Sequence, residues 1–292
     1  MKGIILAGGT GSRMSPLTHA VSKHLLPVND KPMIYYPLAV LMIAGIKQIL
    51  VITSSDHLSA YKSLLGDGAH LGISITYEVQ DKPNGVAEAF IIGEKFIGSS
   101  NVALILGDNF FYVEGFEKLL KRIAALSSGA TVIAKKVKNP TDYGVVEFDD
   151  DRMVLSIEEK PIDPKSDFAL TGLYFYDNNV VKFAKMLKPS VRNELEITDI
   201  NNLYLKNNKL NVELLGRGAQ WFDMGTIGTY HQVNSLVSAI ESSKDFKIAC
   251  IEEIAFRLEY ISENQMAKIA EKHHNSEYGK YITSILNYNI KR

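Results

Sequence analysis

The chain has 292 residues, 46% hydrophobic and 22% charged, which is enough apolar material for a full core in one large domain or two modest ones. Lys and Arg total 32 against 33 Asp and Glu, and the resulting net charge of -1 excludes the basic surplus by which a general nucleic-acid binder displaces counterions. The single cysteine, Cys250, excludes an internal disulfide and a cysteine-based zinc cage, and no two of the 7 histidines lie at the i, i+4 spacing of a helical zinc site.

Met1 to Gly8 is too short an apolar run for a signal peptide, and no run reaches the ~18 apolar residues of a membrane span, so a soluble cytoplasmic protein is expected. In chain order, Ile4 to Ala7 reads as a buried strand. Ile34, Leu38, Leu41 and Met42 carry a helical spacing that stops at Gly45, and Gln48 to Thr53 is the next apolar strand. Ile73 to Val79 is β-branched and alternating, so a strand, whereas Val86 to Phe96 has helical spacing. Val102 to Leu106 is a near-continuous apolar strand that runs straight into Gly107, Asp108 and Asn109. This alternation predicts an α/β fold, a Rossmann-like mixed sheet flanked by helices.

Beyond about residue 130 the strands crowd together, at Thr131 to Val137, Val145 to Phe148, Leu155 to Glu158, Ala169 to Tyr176 and Asn211 to Leu215. Mixed or antiparallel additions to the sheet are expected there, forming an inserted β-rich lobe. Helices are expected over Val180 to Leu187 and Ile197 to Lys206. From Phe246 to Arg292 the tail reads as wholly helical, with Ile248, Ile251, Ile254, Ala255, Ile282, Ile285 and Leu286 spaced for packing. There is no internal repeat or low-complexity linker. The expected plan is an α/β core with its lobe over residues 1–245 and a helical C-terminal segment over 246–292.

Directly after the first strand comes Gly8-Gly9-Thr10-Gly11-Ser12-Arg13. Glycines here let the backbone turn tightly and bring its N–H groups against an anion. A P-loop would end in Gly-Lys-Ser/Thr, and a dinucleotide fingerprint would place a third glycine where Met14 stands, which argues against a dehydrogenase. Instead Arg13 lies inside the turn and Lys23 follows ten residues on, a planar fork of donors plus a point charge suited to a nucleoside triphosphate. A glycine turn with solvated cations is the plainer alternative, and for Lys23 a surface lysine is an equal reading.

Asp108 stands at the carboxyl end of a buried strand, where open α/β sheets bind ligands. A carboxylate beside a polyphosphate suits magnesium, which takes one or two carboxylates plus phosphate oxygens. Asp223, in Gln220-Trp221-Phe222-Asp223-Met224-Gly225-Thr226, is a candidate partner from far along the chain. Both residues have ordinary structural alternatives: Asp108 capping a turn with Asn109, and Asp223 capping a helix that begins near Gly228. In Ile157-Glu158-Glu159-Lys160-Pro161 a lysine ends a strand, placed to hold a second phosphate with Glu159 accepting from sugar hydroxyls; a solvated edge-strand charge cluster is the alternative.

Together, Gly8 to Arg13 with Pro16-Leu17-Thr18, Ser22-Lys23 and Leu26-Pro27-Val28 resemble the signature of the nucleotidyltransferases that make nucleoside-diphosphate sugars. Lys31 to Leu38, Leu106 to Asn109, Tyr143 to Phe148, Glu158 to Pro161, Thr171 to Tyr176 and Glu194 to Thr198 follow in the family's order, so the resemblance covers essentially the whole chain. It is strongest to the members that transfer a thymidylyl group to glucose 1-phosphate at the start of dTDP-rhamnose synthesis.

The resemblance implies dTTP and glucose 1-phosphate as substrates, dTDP-glucose and pyrophosphate as products and Mg2+ as cofactor, with no nucleic acid and no membrane as partner. Gly8, Gly9, Thr10, Gly11, Ser12 and Arg13 would hold the nucleotide, Arg13 and Lys23 would lower charge at the α-phosphorus, and Asp108 and Asp223 would hold the metal. Gln80 would read the base, its amide offering a donor to thymine O4 and an acceptor to N3–H, and Gly85 would let the base approach. Gly144, Glu159, Lys160, Thr171 and Arg192 would bind glucose 1-phosphate, Lys160 on its phosphate. Arg13, Lys23, Asp108 and Lys160 form the implied catalytic set for in-line attack of the sugar phosphate on the α-phosphorus.

The tail, with Gly216-Arg217, resembles the segment through which longer family members form a homotetramer and a second nucleotide site used in feedback inhibition. Arg217, Lys247 and Arg257 are then candidate phosphate contacts for dTDP-rhamnose, with an ordinary oligomer-forming helix as the alternative. His24, Glu88 and Met224 stand where the family's commonest pattern has glutamine, glutamine and threonine. Competing expectations are the same chemistry on UTP or another sugar 1-phosphate, and a non-catalytic nucleotide-sugar sensor. Gln80 does not decide the first, because uracil shows thymine's edge; a sensor has no need of a metal-holding pair.

Overall fold

A computed structural model of the chain describes residues 1–290. Its first strand, β1 (Lys2–Ala7), carries Ile4 and Ile5 fully buried on opposite faces of a sheet, the two-sided burial required inside a parallel sheet. Two short strands, β2 (Pro27–Val28) and β3 (Lys31–Pro32), lead to α1 (Tyr35–Ile43), β4 (Gln48–Thr53), α2 (Leu58–Leu65), β5 (Ser74–Val79), α3 (Glu88–Ile92), α4 (Glu94–Ile97) and β6 (Val102–Leu106). β1 pairs in parallel with β4 on one side and β6 on the other, and β4 in parallel with β5.

The chain continues through β7 (Asn109–Tyr112), α5 (Phe116–Ala124), β8 (Ala130–Lys136), β9 (Gly144–Phe148), β10 (Val154–Glu159), β11 (Phe168–Tyr176), α6 (Asn179–Met186), α7 (Ile197–Lys206), β12 (Leu210–Leu214), β13 (Gln220–Asp223) and α8 (Ile227–Ser243). β11 joins antiparallel to β6, the antiparallel pair β9–β10 extends beyond it, and β8 and β12 attach beside β11. The result is a 9-stranded mixed sheet whose main path runs β10-β9-β11-β6-β1-β4-β5. The expected mixed α/β sheet with late antiparallel strands is what forms.

Between β1 and β6 the connections part: the chain leaves β1 toward β4 and β5, then returns to β6 on the other side. Such a switch point opens a crevice at the carboxyl ends of the strands. Leu6 lies opposite Leu106, and Gly107 N donates to Leu6 O at 2.9 Å, so the loops after β1 and β6 leave the sheet side by side.

Three details differ from the sequence expectation. The helical stretch Val86 to Phe96 is two helices broken at Gly93, which sits against Ile4 and Leu50 of the sheet. α5 buries Phe116, Leu120 and Ile123 along one face, a further covering helix. The tail is not wholly helical: residues 246–250 are non-helical, and α9 (Ile251–Arg257), α10 (Glu263–Lys272) and α11 (Glu277–Ile290) are separate. Glu259, at φ 57°, follows α9, and Ser262 with Gln265 forms a reciprocal capping box that starts α10 afresh. Of the expected helical tail, Lys291 and Arg292 lie outside the described residues. Ile251, Ala255, Met266 and Ile282 share a core with Ile5, Leu38 and Val51, so these helices are built onto the α/β body. Among the described residues no helix is long and apolar enough to cross a membrane.

Candidate active site

The glycine loop leaves β1 into the switch-point crevice. Gly11 takes φ 65°, a left-handed conformation that side chains disfavour, and its carbonyl accepts from Thr18 Oγ1 at 2.9 Å. This turn presents Gly9, Thr10, Ser12 and Arg13 on the surface. Arg13 reaches across to β13: a Cβ built on Gly225 would lie 2.5 Å from Arg13 Nη2 and 2.9 Å from Asp223 Oδ1. Only a residue without a side chain leaves room there for guanidinium and carboxylate together.

Lys23 forms an ion pair with Asp108, both largely shielded from solvent. Burial alone raises the Asp108 carboxyl, but the charge and hydrogen bond of the adjacent Lys23 outweigh it and hold the group well below the usual carboxylate range. Asp223 goes the other way. Burial and the charge of Asp108 push its carboxyl upward against Lys23 and Arg13, and its Oδ1 is buried with no hydrogen-bond partner. An orphaned oxygen beside a second carboxylate is the arrangement a divalent cation relieves. No group of three or more His, Cys, Asp or Glu that could hold a metal occurs among the described residues, so the aspartates would supply two ligands and leave the rest to substrate oxygens and water.

His24 packs behind this pair. Its Nδ1 shares hydrogen bonds with Ser22 Oγ at 3.2 Å and Tyr61 OH at 3.3 Å, and a Cβ on Gly107 would meet its ring at 2.7 Å. Burial, then the charge of Lys23, pushes the imidazole down to about 3, so it is neutral.

Gln80, buried at the end of β5, donates from Nε2 to Glu88 Oε2 at 2.7 Å and to Gly85 O at 3.3 Å. Its Oε1 faces Gly8, where a Cβ would stand 3.2 Å away. Gly85 takes φ 107°, and a Cβ there would run into the Leu195 backbone at 2.4 Å. The structural demand for glycine at 85 is therefore set by the chain itself.

On the other side of the crevice Gly144, Glu159, Thr198 and Arg192 cluster. Glu159 Oε2 accepts from Thr198 Oγ1 at 2.5 Å, and a Cβ on Gly144 would press on both. Burial raises the Glu159 carboxyl, opposed by the Thr198 hydroxyl. Arg192 donates to Glu196 from Nε at 3.1 Å and from Nη2 at 3.0 Å and lies 4.0 Å from Glu159, so acids already surround it. Thr171 is buried and donates to Ile133 O at 3.1 Å, so its hydroxyl serves the sheet. Lys160 follows β10 at φ 45°, is exposed and forms no ion pair among the described residues. A non-glycine residue held in that region marks a position the surroundings dictate.

By sequence Asn109 stands only as a turn neighbour of Asp108. Its Oδ1 accepts from Trp221 Nε1 at 2.6 Å and Gly172 N at 3.1 Å, while its Nδ2 donates to Asp108 Oδ1 at 3.3 Å. It knits β7, β11 and β13 together and donates to the Asp108 carboxylate. The signal was a lone asparagine opening the aromatic run Phe110-Phe111-Tyr112.

The three tail-associated cations share no partner among the described residues. Arg217 is exposed on the turn before β13; Arg257 is exposed and its Nε donates to Glu253 at 2.7 Å. Lys247 pairs with Asp30 and lies 3.4 Å from Glu241, beside the buried Lys31. Arg257 borders a cavity of about 620 Å³ between α5 and α9, lined also by Ile43, Val113, Phe116 and Ile254, to which neither Arg217 nor Lys247 contributes.

The description of the nucleotidyl transferase family matches residues 2–239. The chain is 54% identical over 286 residues to a glucose-1-phosphate thymidylyltransferase of Neisseria meningitidis, spanning 98% of this chain and 99% of that protein. It is 48% identical over 289 residues to one of Mycobacterium tuberculosis, spanning 99% and 100%. A crystal structure from Bacillus anthracis, described as a glucose-1-phosphate thymidylyltransferase in complex with a sucrose, is similar with TM-score 0.75 at 44% identity, over 81% of this chain and 94% of that one. A UDP-glucose pyrophosphorylase complexed with UDP-glucose, at 22% identity and TM-score 0.71 over 83% and 99%, shares the fold.

Proposed function

As a member of the nucleotidyl transferase family, and within it of the glucose-1-phosphate thymidylyltransferases, the chain is an enzyme, and we propose that it joins dTTP and alpha-D-glucose 1-phosphate into dTDP-glucose and pyrophosphate, the first step of dTDP-L-rhamnose synthesis. The observation that carries this reading is the meeting of Arg13, Lys23, Asp108 and Asp223 where the loops after β1 and β6 emerge side by side. Two cations and a carboxylate pair at one point suit a triphosphate and its divalent cation better than a neutral ligand.

The backbone N–H groups of Gly8 to Ser12 hold the triphosphate, and Arg13 and Lys23 draw negative charge from the α-phosphorus. Asp108 and Asp223 hold Mg2+, which when bound neutralises charge on the phosphate oxygens. Across the crevice Lys160 holds the sugar phosphate and Glu159, kept in place by Thr198 and flanked by Arg192, accepts from sugar hydroxyls; Gly144 leaves the space for that carboxylate, and Thr171 fixes the floor through Ile133. The sugar phosphate oxygen attacks the α-phosphorus in line, the α–β phosphoanhydride bond breaks and pyrophosphate leaves opposite. No protein nucleophile is needed, because a phosphate monoester is already ionised near neutral pH. Each well-placed cation lowers the barrier by an amount comparable to the ~2.7–4 kcal/mol of one oxyanion donor.

Residues 1–245 then carry the chemistry in the cytoplasm, and 246–292 carry assembly into a homotetramer and, together with Arg217 of the turn before β13, feedback by dTDP-rhamnose through Lys247 and Arg257. The test is pyrophosphate release over a matrix of nucleoside triphosphates and sugar 1-phosphates. Fastest release with dTTP and glucose 1-phosphate is expected; fastest release with UTP or another sugar replaces the substrate assignment, and none with any pair favours a sensor.

A further inference from the structure

Glu88 fixes the orientation of the Gln80 amide. Its carboxylate offers acceptors only: Oε2 takes Gln80 Nε2 at 2.7 Å, and Oε1 takes Asn84 Nδ2 at 2.8 Å. The other Gln80 amide hydrogen goes to Gly85 O at 3.3 Å, so both its donors are committed. Oε1 is what remains toward Gly8 and the triphosphate loop. Turning the amide over would set Oε1 against a carboxylate oxygen in a buried setting, two acceptors with no proton between them.

We propose that Glu88 is a positioning residue for base selection: it locks Gln80 so that the base meets an acceptor alone, which favours pyrimidines carrying an N3–H over cytosine, whose N3 is itself an acceptor. This rests on the reading of Gln80 as the base-facing residue, and it narrows that role from a donor–acceptor pair to a single acceptor, leaving O4 to another partner. Glutamine at this position presents either a donor or an acceptor, so only the longer 3.3 Å bond to Gly85 O would then oppose the turned amide.

The experiment compares kcat/KM for dTTP and dCTP with glucose 1-phosphate, alongside equilibrium binding of dTDP and dCDP, in the wild type and two variants. In the isosteric Glu88→Gln the thymine-over-cytosine ratio narrows by about tenfold or more in both measurements, equivalent to ~1.4 kcal/mol. In Asn84→Ala, which keeps the Glu88–Gln80 bond, it narrows by less than about threefold, ~0.7 kcal/mol. A Glu88→Gln protein with the wild-type ratio overturns the proposal, and so does an equal collapse in Asn84→Ala, which would assign the effect to loop disorder. A wild type that releases pyrophosphate with no nucleotide overturns the functional reading as well, a failure distinct from an active Glu88→Gln enzyme that keeps its selectivity.

Discussion

Replacing His24 by glutamine probes the wall behind the Lys23–Asp108 pair. In the folded chain burial and Lys23 push the imidazole down to about 3, with Asp108 opposing and His57 adding; in the unfolded chain it titrates near ~6.5. The sign follows from proton counting. Below about pH 6.5 the unfolded state binds a proton that the native state refuses, so stability is full above that pH and is lost as pH falls toward the folded value. Each pH unit in this window costs ~1.36 kcal/mol, so moving from about pH 7.5 to about pH 5 removes ~2 kcal/mol through this side chain alone. For a chain of this size that is roughly 3 °C in Tm. Glutamine keeps a donor and an acceptor without the titration. Calorimetry of both proteins at the two pH values gives the difference directly: the wild type should lose ~2 kcal/mol more than His24→Gln. Equal acid losses would refute the placement of a neutral, buried imidazole against that pair.

Asp223→Asn, measured without added divalent cation, should be more stable than the wild type by ~1–3 kcal/mol, because it removes a buried charge held against the Asp108 carboxylate. Its turnover should fall by roughly 10²-fold or more; a less stable or fully active variant counts against the metal-holding pair. Lys160→Ala should lower kcat/KM for glucose 1-phosphate by roughly 10- to 150-fold, the worth of a charged hydrogen bond of ~1.5–3 kcal/mol, and an unchanged value would remove Lys160 from the sugar phosphate. Gly172→Ala drives a methyl to within 2.6 Å of Asn109 Nδ2 and 2.8 Å of Leu106, and chemical denaturation should show a loss of about 1–3 kcal/mol. A double Arg217→Ala, Arg257→Ala variant should lose sensitivity to dTDP-rhamnose in the pyrophosphate assay; equal sensitivity would place any feedback site elsewhere.

Some of this molecule is legible in one dimension. β1, β4 and β6 read as buried strands because a parallel strand covered on both faces must be apolar at consecutive positions. α7 falls on the expected Ile197–Lys206, and the anion-binding loop is announced by glycines directly after a strand. The tail shows where such reading ends: its apolar spacing is helical throughout, yet the capping box at Ser262 cuts it, a side-chain hydrogen bond overriding periodicity.

What the tertiary structure alone decided is which distant side chains share a space. Asp223 comes to Asp108 because β13 pairs with β7 in a register that sets Asp223 opposite Asn109, a ribbon outside the main sheet. Arg192 and Lys247 turn out to face acids, and Gln80 has its donors taken by Glu88 and Gly85, so three residues with clear chemical promise arrive with part of their bonding capacity used. Local pattern records the period of the backbone and the side facing the core, both properties of neighbouring residues. The meeting of two carboxylates, or the side of an amide left free, depends on strand register and long-range closure, which no short stretch of chain encodes.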